Sequence, residues 1–129
     1  MRNLIHAALI AGLIAAPAAA VKPSPEEQLA KLTDGRVAGK PVDCIPQFPS
    51  NESRRIDTLA MAYRVGTTWY VNRFEGGCPE LRYDRIVVTR SPVGKYCRGD
   101  VVRLRTAYPP MDVGSCIFDA FVPYPKPRG

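Results

Sequence analysis

Three carboxylates around one cysteine are the residues of this sequence best spaced to do chemistry. Glu75, Glu80 and Asp84 lie close together in sequence, on both sides of Cys78. Glycoside hydrolysis requires a pair of carboxylates at a fixed separation, so the cluster makes a carboxylate-dependent hydrolase of cell-wall glycan one hypothesis. Three neighbouring arginines are able to pair with these carboxylates: Arg73, Arg82 and Arg85. Ion pairing on a solvated surface is therefore the favoured interpretation.

Residues 1–20 have the pattern of a secretory signal peptide. Arg2 precedes an apolar run from Leu4 to Ala16, Pro17 ends the run, and small residues follow up to Ala20. A positive end, a short apolar segment and small residues before a cleavage site are typical of such signals, whereas a membrane span needs about 20 apolar residues. The sequence therefore predicts cleavage near Ala20, a periplasmic or secreted mature chain, and no transmembrane span.

Removal of this segment leaves the mature chain without histidine. The sequence contains one histidine, His6, which lies inside the predicted signal peptide. Ser–His and Cys–His catalysis, His-ligated zinc and ordinary haem ligation all need an imidazole. We therefore expect a protein that is not an enzyme, has no catalytic residues and carries no metal or other cofactor.

Four cysteines lie in the predicted mature chain: Cys44, Cys78, Cys97 and Cys116. An even number of cysteines in a short exported chain predicts a disulfide framework, and the absence of any C-x-x-C pair argues against a zinc ribbon or a redox motif. Four cysteines allow three pairings, among which the sequence does not choose. We expect two disulfides that stabilise the mature domain.

Basic residues interleaved with aromatic residues form a second candidate site. The full chain has a net charge of +6, and five residues define the possible binding surface: Arg64, Trp69, Arg73, Arg103 and Arg105. Behind a signal peptide, the expected partner is an envelope protein or an anionic surface polymer rather than nucleic acid. A general solvated surface is the alternative, because Arg103 and Arg105 alternate with apolar residues as on a strand with one wet face.

The elements that position these residues begin with a short helix. Ser24 as the cap, Pro25 at the first helical position and Glu27 as the partner in a capping box predict the helix start, and Asp34-Gly35 ends the helix. The helix belongs to a lead-in segment at residues 21–43. A disulfide-stapled β domain follows at 44–122, and a flexible tail rich in proline at 123–129.

Short strands make up the β domain. Residues 60–65 and 68–74 form the clearest hairpin around the turn Gly66-Thr67, and this pattern places Arg64 opposite Trp69. Further strands are predicted at 55–59, 84–90, 100–105 and 115–122. Five or six short strands joined by Gly and Pro turns indicate a mainly β fold, a small antiparallel barrel or sandwich.

Six segments of the mature chain carry a resemblance: Arg36–Ile45, Arg55–Thr58, Thr67–Phe74, Gly76–Leu81, Tyr96–Asp100 and Gly114–Pro123. Together they resemble a family of small exported proteobacterial proteins that is a domain of unknown function. The resemblance implies a Gram-negative, periplasmic setting and structural roles for the four cysteines, and it implies no activity. The stretch from Phe118 to Phe121 departs from the family's pattern, which has a glycine before the final aromatic residue.

These observations favour a non-catalytic binding or envelope-associated module. An inhibitor of a secreted lysozyme or protease is an alternative, because a rigid loop such as Tyr108 to Gly114 loses little entropy on binding. The glycan hydrolase is the third hypothesis. The tripeptide Arg98-Gly99-Asp100 also matches an adhesion motif, but a turn is the favoured interpretation at its position beside Cys97.

Overall fold

The computed structural model describes residues 10–15, 21–47 and 52–128. The predicted cleavage near Ala20 lies outside these residues, and so do His6 and most of the predicted signal peptide. No helix within the described ranges is long and apolar enough to cross a membrane.

Ser24 starts helix α1, which covers Pro25–Leu32. The Ser24 hydroxyl accepts a hydrogen bond from the backbone N–H of Glu27 at 3.2 Å, and the Glu27 carboxylate accepts one from the backbone N–H of Ser24 at 3.4 Å. This arrangement is the predicted capping box, so the helix start is confirmed. Leu29 is the buried residue of α1. Its burial matters because a helix of about two turns is stable only when it packs on another element.

The described residues form nine strands. They are β1 (Cys44–Pro46), β2 (Glu52–Ile56), β3 (Ala60–Val65), β4 (Thr68–Asn72), β5 (Ile86–Thr89), β6 (Lys95–Cys97), β7 (Val101–Thr106), β8 (Met111–Ile117) and β9 (Val122–Tyr124). Three antiparallel sheets result, with the orders β1-β6, β2-β3-β4-β9 and β5-β7-β8. The predicted mainly β fold is confirmed. The sandwich alternative fits, since the sheets do not close into a barrel in the described part of the chain.

The main core lies between the four-stranded and the three-stranded sheet. Met61 and Tyr63 of β3 belong to the same buried cluster as Val102 and Leu104 of β7. Phe118 is fully buried in this cluster as well. The side chains that alternate with these along β3 and β7 therefore point away from the main core, toward the two outer faces of the sandwich.

The outer face of the four-stranded sheet is covered by helix α1. Leu29 of the helix packs in a second buried cluster with Ala62 of β3 and Trp69 of β4. The four-stranded sheet is thus buried on both faces near its centre. The outer face of the three-stranded sheet instead carries the exposed arginines of β7, Arg103 and Arg105.

The predicted hairpin is confirmed in its turn and its register. Gly66 has a φ of +61° in the turn, and Arg64 lies opposite Trp69. Strand β4 ends at Asn72, earlier than predicted, because Phe74 adopts a left-handed backbone with a φ of +63°. The strand predicted at 55–59 is wrong in its bounds: β2 covers Glu52–Ile56 and ends before a second left-handed residue, Asp57, with a φ of +46°.

The C-terminal strand prediction is wrong. The stretch 115–122 is not one strand: β8 ends at Ile117 and β9 begins at Val122, because Phe118 and Phe121 between them turn into the core. Pro123, the first residue of the predicted tail, is part of β9, and its carbonyl oxygen accepts a hydrogen bond from the Gly39 N–H at 2.7 Å.

A buried asparagine fixes the turn between β8 and β9. Asn72 is fully buried, and its side-chain amide donates to the carbonyl oxygen of Asp119 at 2.7 Å. Its side-chain oxygen accepts hydrogen bonds from the backbone N–H groups of Phe74 at 3.0 Å and Asp119 at 3.1 Å. Every polar group of this buried side chain is therefore paired, as a buried amide requires.

Two disulfides are present, as predicted. Cys44–Cys97 joins β1 to β6, and Cys78–Cys116 joins the loop after β4 to β8. Strands β1 and β6 were not predicted, because each is three residues long and they pair only with each other. The disulfides indicate an oxidising, extracytoplasmic environment.

Candidate functional site

A groove lies between helix α1 and the outer face of the four-stranded sheet. Its volume is about 720 Å³. Leu32 of the helix, Ile56 of β2 and Trp69 of β4 form its apolar floor. Lys22 and Pro23 of the lead-in chain also line it. The groove therefore exists because Leu29 holds the helix on the sheet, at a distance set by the side chains between them.

Cations outnumber carboxylates along this groove. Five basic residues line it: Lys22, Lys31, Arg54, Arg55 and Arg64. Two acidic residues line it: Glu27 and Glu52. The basic residues belong to the lead-in segment, the helix and two strands. They are therefore brought together by the fold and not by one sequence motif. An excess of positive charge on a concave surface attracts anions.

Two arginines lie over the ring of the tryptophan in the groove floor. The guanidinium carbons of Arg54 and Arg64 each lie 6.0 Å from the centre of the Trp69 ring. Trp69 itself is only 6% exposed. Cation–π contacts extend to about 6 Å and contribute about 0.5–1 kcal/mol at exposed sites. Trp69 therefore favours the positions of both arginines at the mouth of the groove.

One carboxylate joins the same two arginines. The Glu52 Oε1 atom lies 2.6 Å from Nη2 of Arg54, and its Oε2 atom lies 3.5 Å from Nη2 of Arg64. The side chains of Arg54, Arg64 and Glu52 are 57%, 42% and 29% exposed. The ion pairs are therefore in contact with water, where such pairs are weak and exchangeable.

The other cations of the groove differ in how they are held. Lys22 pairs with Asp57 at 3.0 Å, outside the groove floor. The guanidinium of Arg55 donates to the carbonyl oxygens of Arg82 and Arg85, so it fixes the loop before β5. Lys31 lies in the last turn of α1 and is exposed. Lys31 is therefore the cation of the helix wall that is best placed to meet a ligand.

The structure does not bring the five predicted surface residues together. Arg64 and Trp69 lie in the groove. Arg73 follows β4 and pairs with Glu26 of α1 at 3.1 Å. Arg103 and Arg105 lie on β7, on the outer face of the opposite sheet, and their partner is a β8 residue, Asp112. The predicted surface is thus divided between two sides of the sandwich.

Three groups in the described part of the chain have perturbed pKa values, and none of them lines the groove. The hydrogen bond to Glu26 raises the pKa of the Arg73 guanidinium. The hydrogen bond and the charge of Arg73 lower the pKa of the Glu26 carboxyl below its ordinary value. Burial, with a smaller contribution from the neighbouring Tyr96, raises the pKa of the Tyr63 phenol above its ordinary value. Tyr63 lies in the main core, so its shift reflects packing and not a reactive site.

Arginines pair with two of the three carboxylates of the cluster before β5. Arg85 pairs with Asp84 at 2.9 Å and with Glu80 at 3.5 Å. Arg82 also pairs with Asp84, at 3.3 Å. The third carboxyl residue, Glu75, bridges to Ile117 of β8 through its backbone. These ion pairs agree with the interpretation favoured from the sequence, in which the carboxylates pair with neighbouring arginines on a solvated surface.

The adhesion-like tripeptide forms a turn. Gly99 has a φ of +91°, and the Asp100 carboxylate accepts a hydrogen bond from the Cys97 backbone N–H at 2.8 Å. Arg98 lies 3.6 Å from Asp119. The loop predicted at Tyr108 to Gly114 is shorter than expected, since Met111 already begins β8.

Three residues of the groove were not predicted from the sequence: Arg54, Lys31 and Glu52. Arg54 and Glu52 lie on β2, and the predicted start of that strand at residue 55 excluded both. Lys31 reaches the groove only because Leu29, on the same helix, docks on the sheet. The basic pair Arg54-Arg55 before the hairpin was the available signal.

The chain matches no protein-family model, and comparisons with curated proteins and with solved structures found no similar sequence or fold.

Proposed function

We propose that this protein is an exported, non-catalytic binding module of the periplasm that recognises an anionic surface polymer through the groove beside α1. The observation that carries this proposal is that Arg54 and Arg64 lie over Trp69 in a groove lined by five basic and two acidic residues. A signal peptide cleaved near Ala20 and the resemblance to exported proteobacterial proteins support the periplasmic setting. The two disulfides fit it.

The absence of catalytic groups in the mature chain supports a binding role. His6 is the chain's one histidine, and removal of the signal peptide removes it. All four cysteines are paired. Two of the three carboxylates near Cys78, Glu80 and Asp84, pair with Arg82 and Arg85. With Glu80 and Asp84 paired to arginines, the cluster does not offer the two free carboxylates that glycoside hydrolysis needs.

The shape of the groove favours an extended polymer over a small anion. Its volume of about 720 Å³ exceeds what one small anion fills, and its cations come from separate segments of the chain. A polymer with repeated carboxylates meets several of these cations at once, which raises its apparent affinity. An acidic protein is the competing partner.

The test uses alginate, a polysaccharide that carries one carboxylate per sugar. The chain contains a single tryptophan, so a change in Trp69 emission on titration reports binding at the groove itself. Calorimetry gives the affinity. Replacement of both Arg54 and Arg64 by serine is expected to weaken alginate binding about tenfold, since an exposed charge contact contributes up to about 1 kcal/mol.

The matched control replaces Arg103 and Arg105 by serine, which removes the same charge from the opposite face of the sandwich. This control should bind alginate nearly as well as the unmodified protein. Equal losses in both double variants would mean that net charge alone drives binding, and the groove would be rejected. A tenfold preference for poly-glutamate over alginate would instead identify an acidic protein as the partner.

A further inference from the structure

The same arrangement of charges occurs on both outer faces of the sandwich. In the groove, Glu52 bridges Arg54 and Arg64. On the three-stranded sheet, Asp112 bridges Arg103 and Arg105 at 3.5 and 2.9 Å. Each is an arginine–carboxylate–arginine bridge on a partly exposed strand surface. The protein therefore holds a carboxylate between two guanidinium groups at two places.

The surroundings of the two bridges differ in a way that bears on binding. Trp69 lies under both arginines of the groove, and Lys31 stands on the facing helix wall. The opposite bridge lies in a shallow depression with Val101 and Ser115, and the residues that line it include one arginine and one aspartate. A ligand carboxylate at the groove bridge therefore has a further cation, Lys31, near it. The residues lining the depression on the other face provide no such further cation.

We propose that Arg54 and Arg64 form a carboxylate-binding site, which Glu52 occupies in the free protein and which a carboxylate of the bound polymer takes over. This inference rests on the proposed function and names the part of the groove that recognises the ligand. Glu52 shows the geometry that the site accepts, since its two oxygens contact different arginines. Hydrogen bonds between guanidinium groups and carboxylates are charge-assisted and stronger than hydrogen bonds between neutral groups.

The exposure of the bridge makes the exchange inexpensive. Glu52 is 29% exposed and its two partners more so, and exposed ion pairs contribute little free energy. The cation–π contacts of both guanidinium groups with Trp69 do not depend on Glu52 and persist when it leaves. The arginines therefore need little reorganisation to accept a second carboxylate. Glu52 acts as an internal competitor of the ligand.

The test is the substitution Glu52→Gln, which keeps the shape of the side chain and removes its charge. If Glu52 competes with the ligand, this variant binds alginate about two- to five-fold more tightly, the range expected when one exposed ion pair no longer has to be broken. If Glu52 merely holds the arginines in place, its loss weakens binding. The two explanations thus predict opposite signs.

The substitution Asp112→Asn is the matched control. It removes a carboxylate from the equivalent bridge on the opposite face and should leave alginate affinity unchanged. Equal gains in both variants would show a general effect of net charge and overturn the inference. Thermal unfolding checks that both variants are folded.

The outcomes separate this inference from the proposed function. If the Arg54 and Arg64 double variant loses binding but Glu52→Gln gains none, the groove is the binding site and internal competition is rejected. If the double variant binds as well as the unmodified protein, both proposals are rejected together.

Discussion

Tyr63 shows how one buried side chain makes stability depend on pH. Its phenol lies in the main core, in contact with the ring of Tyr96 at a centroid distance of 5.3 Å. Burial disfavours the phenolate, so the pKa of Tyr63 in the folded protein is raised above its value in the unfolded chain. A raised pKa means that the contribution to stability is complete below the unfolded pKa, about 10 for tyrosine, and is lost as the pH rises above it.

We therefore expect the free energy of unfolding to fall above about pH 10, as the Tyr63 of the unfolded chain ionises. Tyr63→Phe should remove part of this decrease, because the variant has no phenol to ionise. Urea unfolding between pH 8 and 11 measures the effect. Tyr108→Phe is the control, since Tyr108 is almost fully exposed. An identical decrease in all three proteins would contradict the assignment.

At the scale of elements, helix α1 is the part of the fold on which the groove depends. Leu29 is its one buried residue and shares a cluster with Trp69. Leu29→Ala should destabilise the helix docking by about 2–3 kcal/mol. That loss exceeds what the exposed polar contacts of the helix restore, so the helix should detach while the sandwich stays folded.

Detachment has two expected consequences. Trp69 emission should move to longer wavelength, because the cluster that covers the ring opens, and alginate should bind several-fold more weakly, because Lys31 leaves the groove wall. Glu26→Gln is the control, since it alters an exposed contact with Arg73 on the same helix. Leu29→Ala with unchanged emission and affinity would show that the helix does not form the site.

The elements differ in how far the sequence predicts them, for physical reasons. The β3–β4 hairpin is local: Gly66 and the alternation around it determine both turn and register. Strand β9 pairs with β4, which is distant in sequence. Its Pro123 belongs to a proline-rich segment that, from the sequence alone, is typical of a flexible tail. Arg64 and Trp69 were predicted to lie opposite each other because both belong to the local hairpin. The residues that complete the groove come from α1 and β2, whose positions depend on tertiary packing.

At the scale of the whole molecule, one disulfide reinforces a sheet and the other connects parts of the fold that the sheets leave separate. Cys44–Cys97 links the small β1-β6 sheet internally, and Cys78–Cys116 ties the loop after β4 to the three-stranded sheet. They span 53 and 38 residues of sequence. In the chain-entropy description, each closes a loop long enough to contribute about 4 kcal/mol, a large share of the stability of a domain of this size.

The two disulfides should nevertheless respond differently to reductant, because their burial differs. Cys78 and Cys116 are buried in the main core, whereas Cys44 is exposed on β1. Thiol–disulfide exchange requires access of the attacking thiolate to sulfur. Under mild reduction of the folded protein, we therefore expect Cys44 and Cys97 to be alkylated first, and Cys78 and Cys116 only when the core opens. Peptide mapping by mass spectrometry identifies the order, and reduction in urea is the control in which both bonds open together. Loss of the Cys78–Cys116 bond first in the folded protein would mean that the core between the two sheets is far more open than its packing indicates.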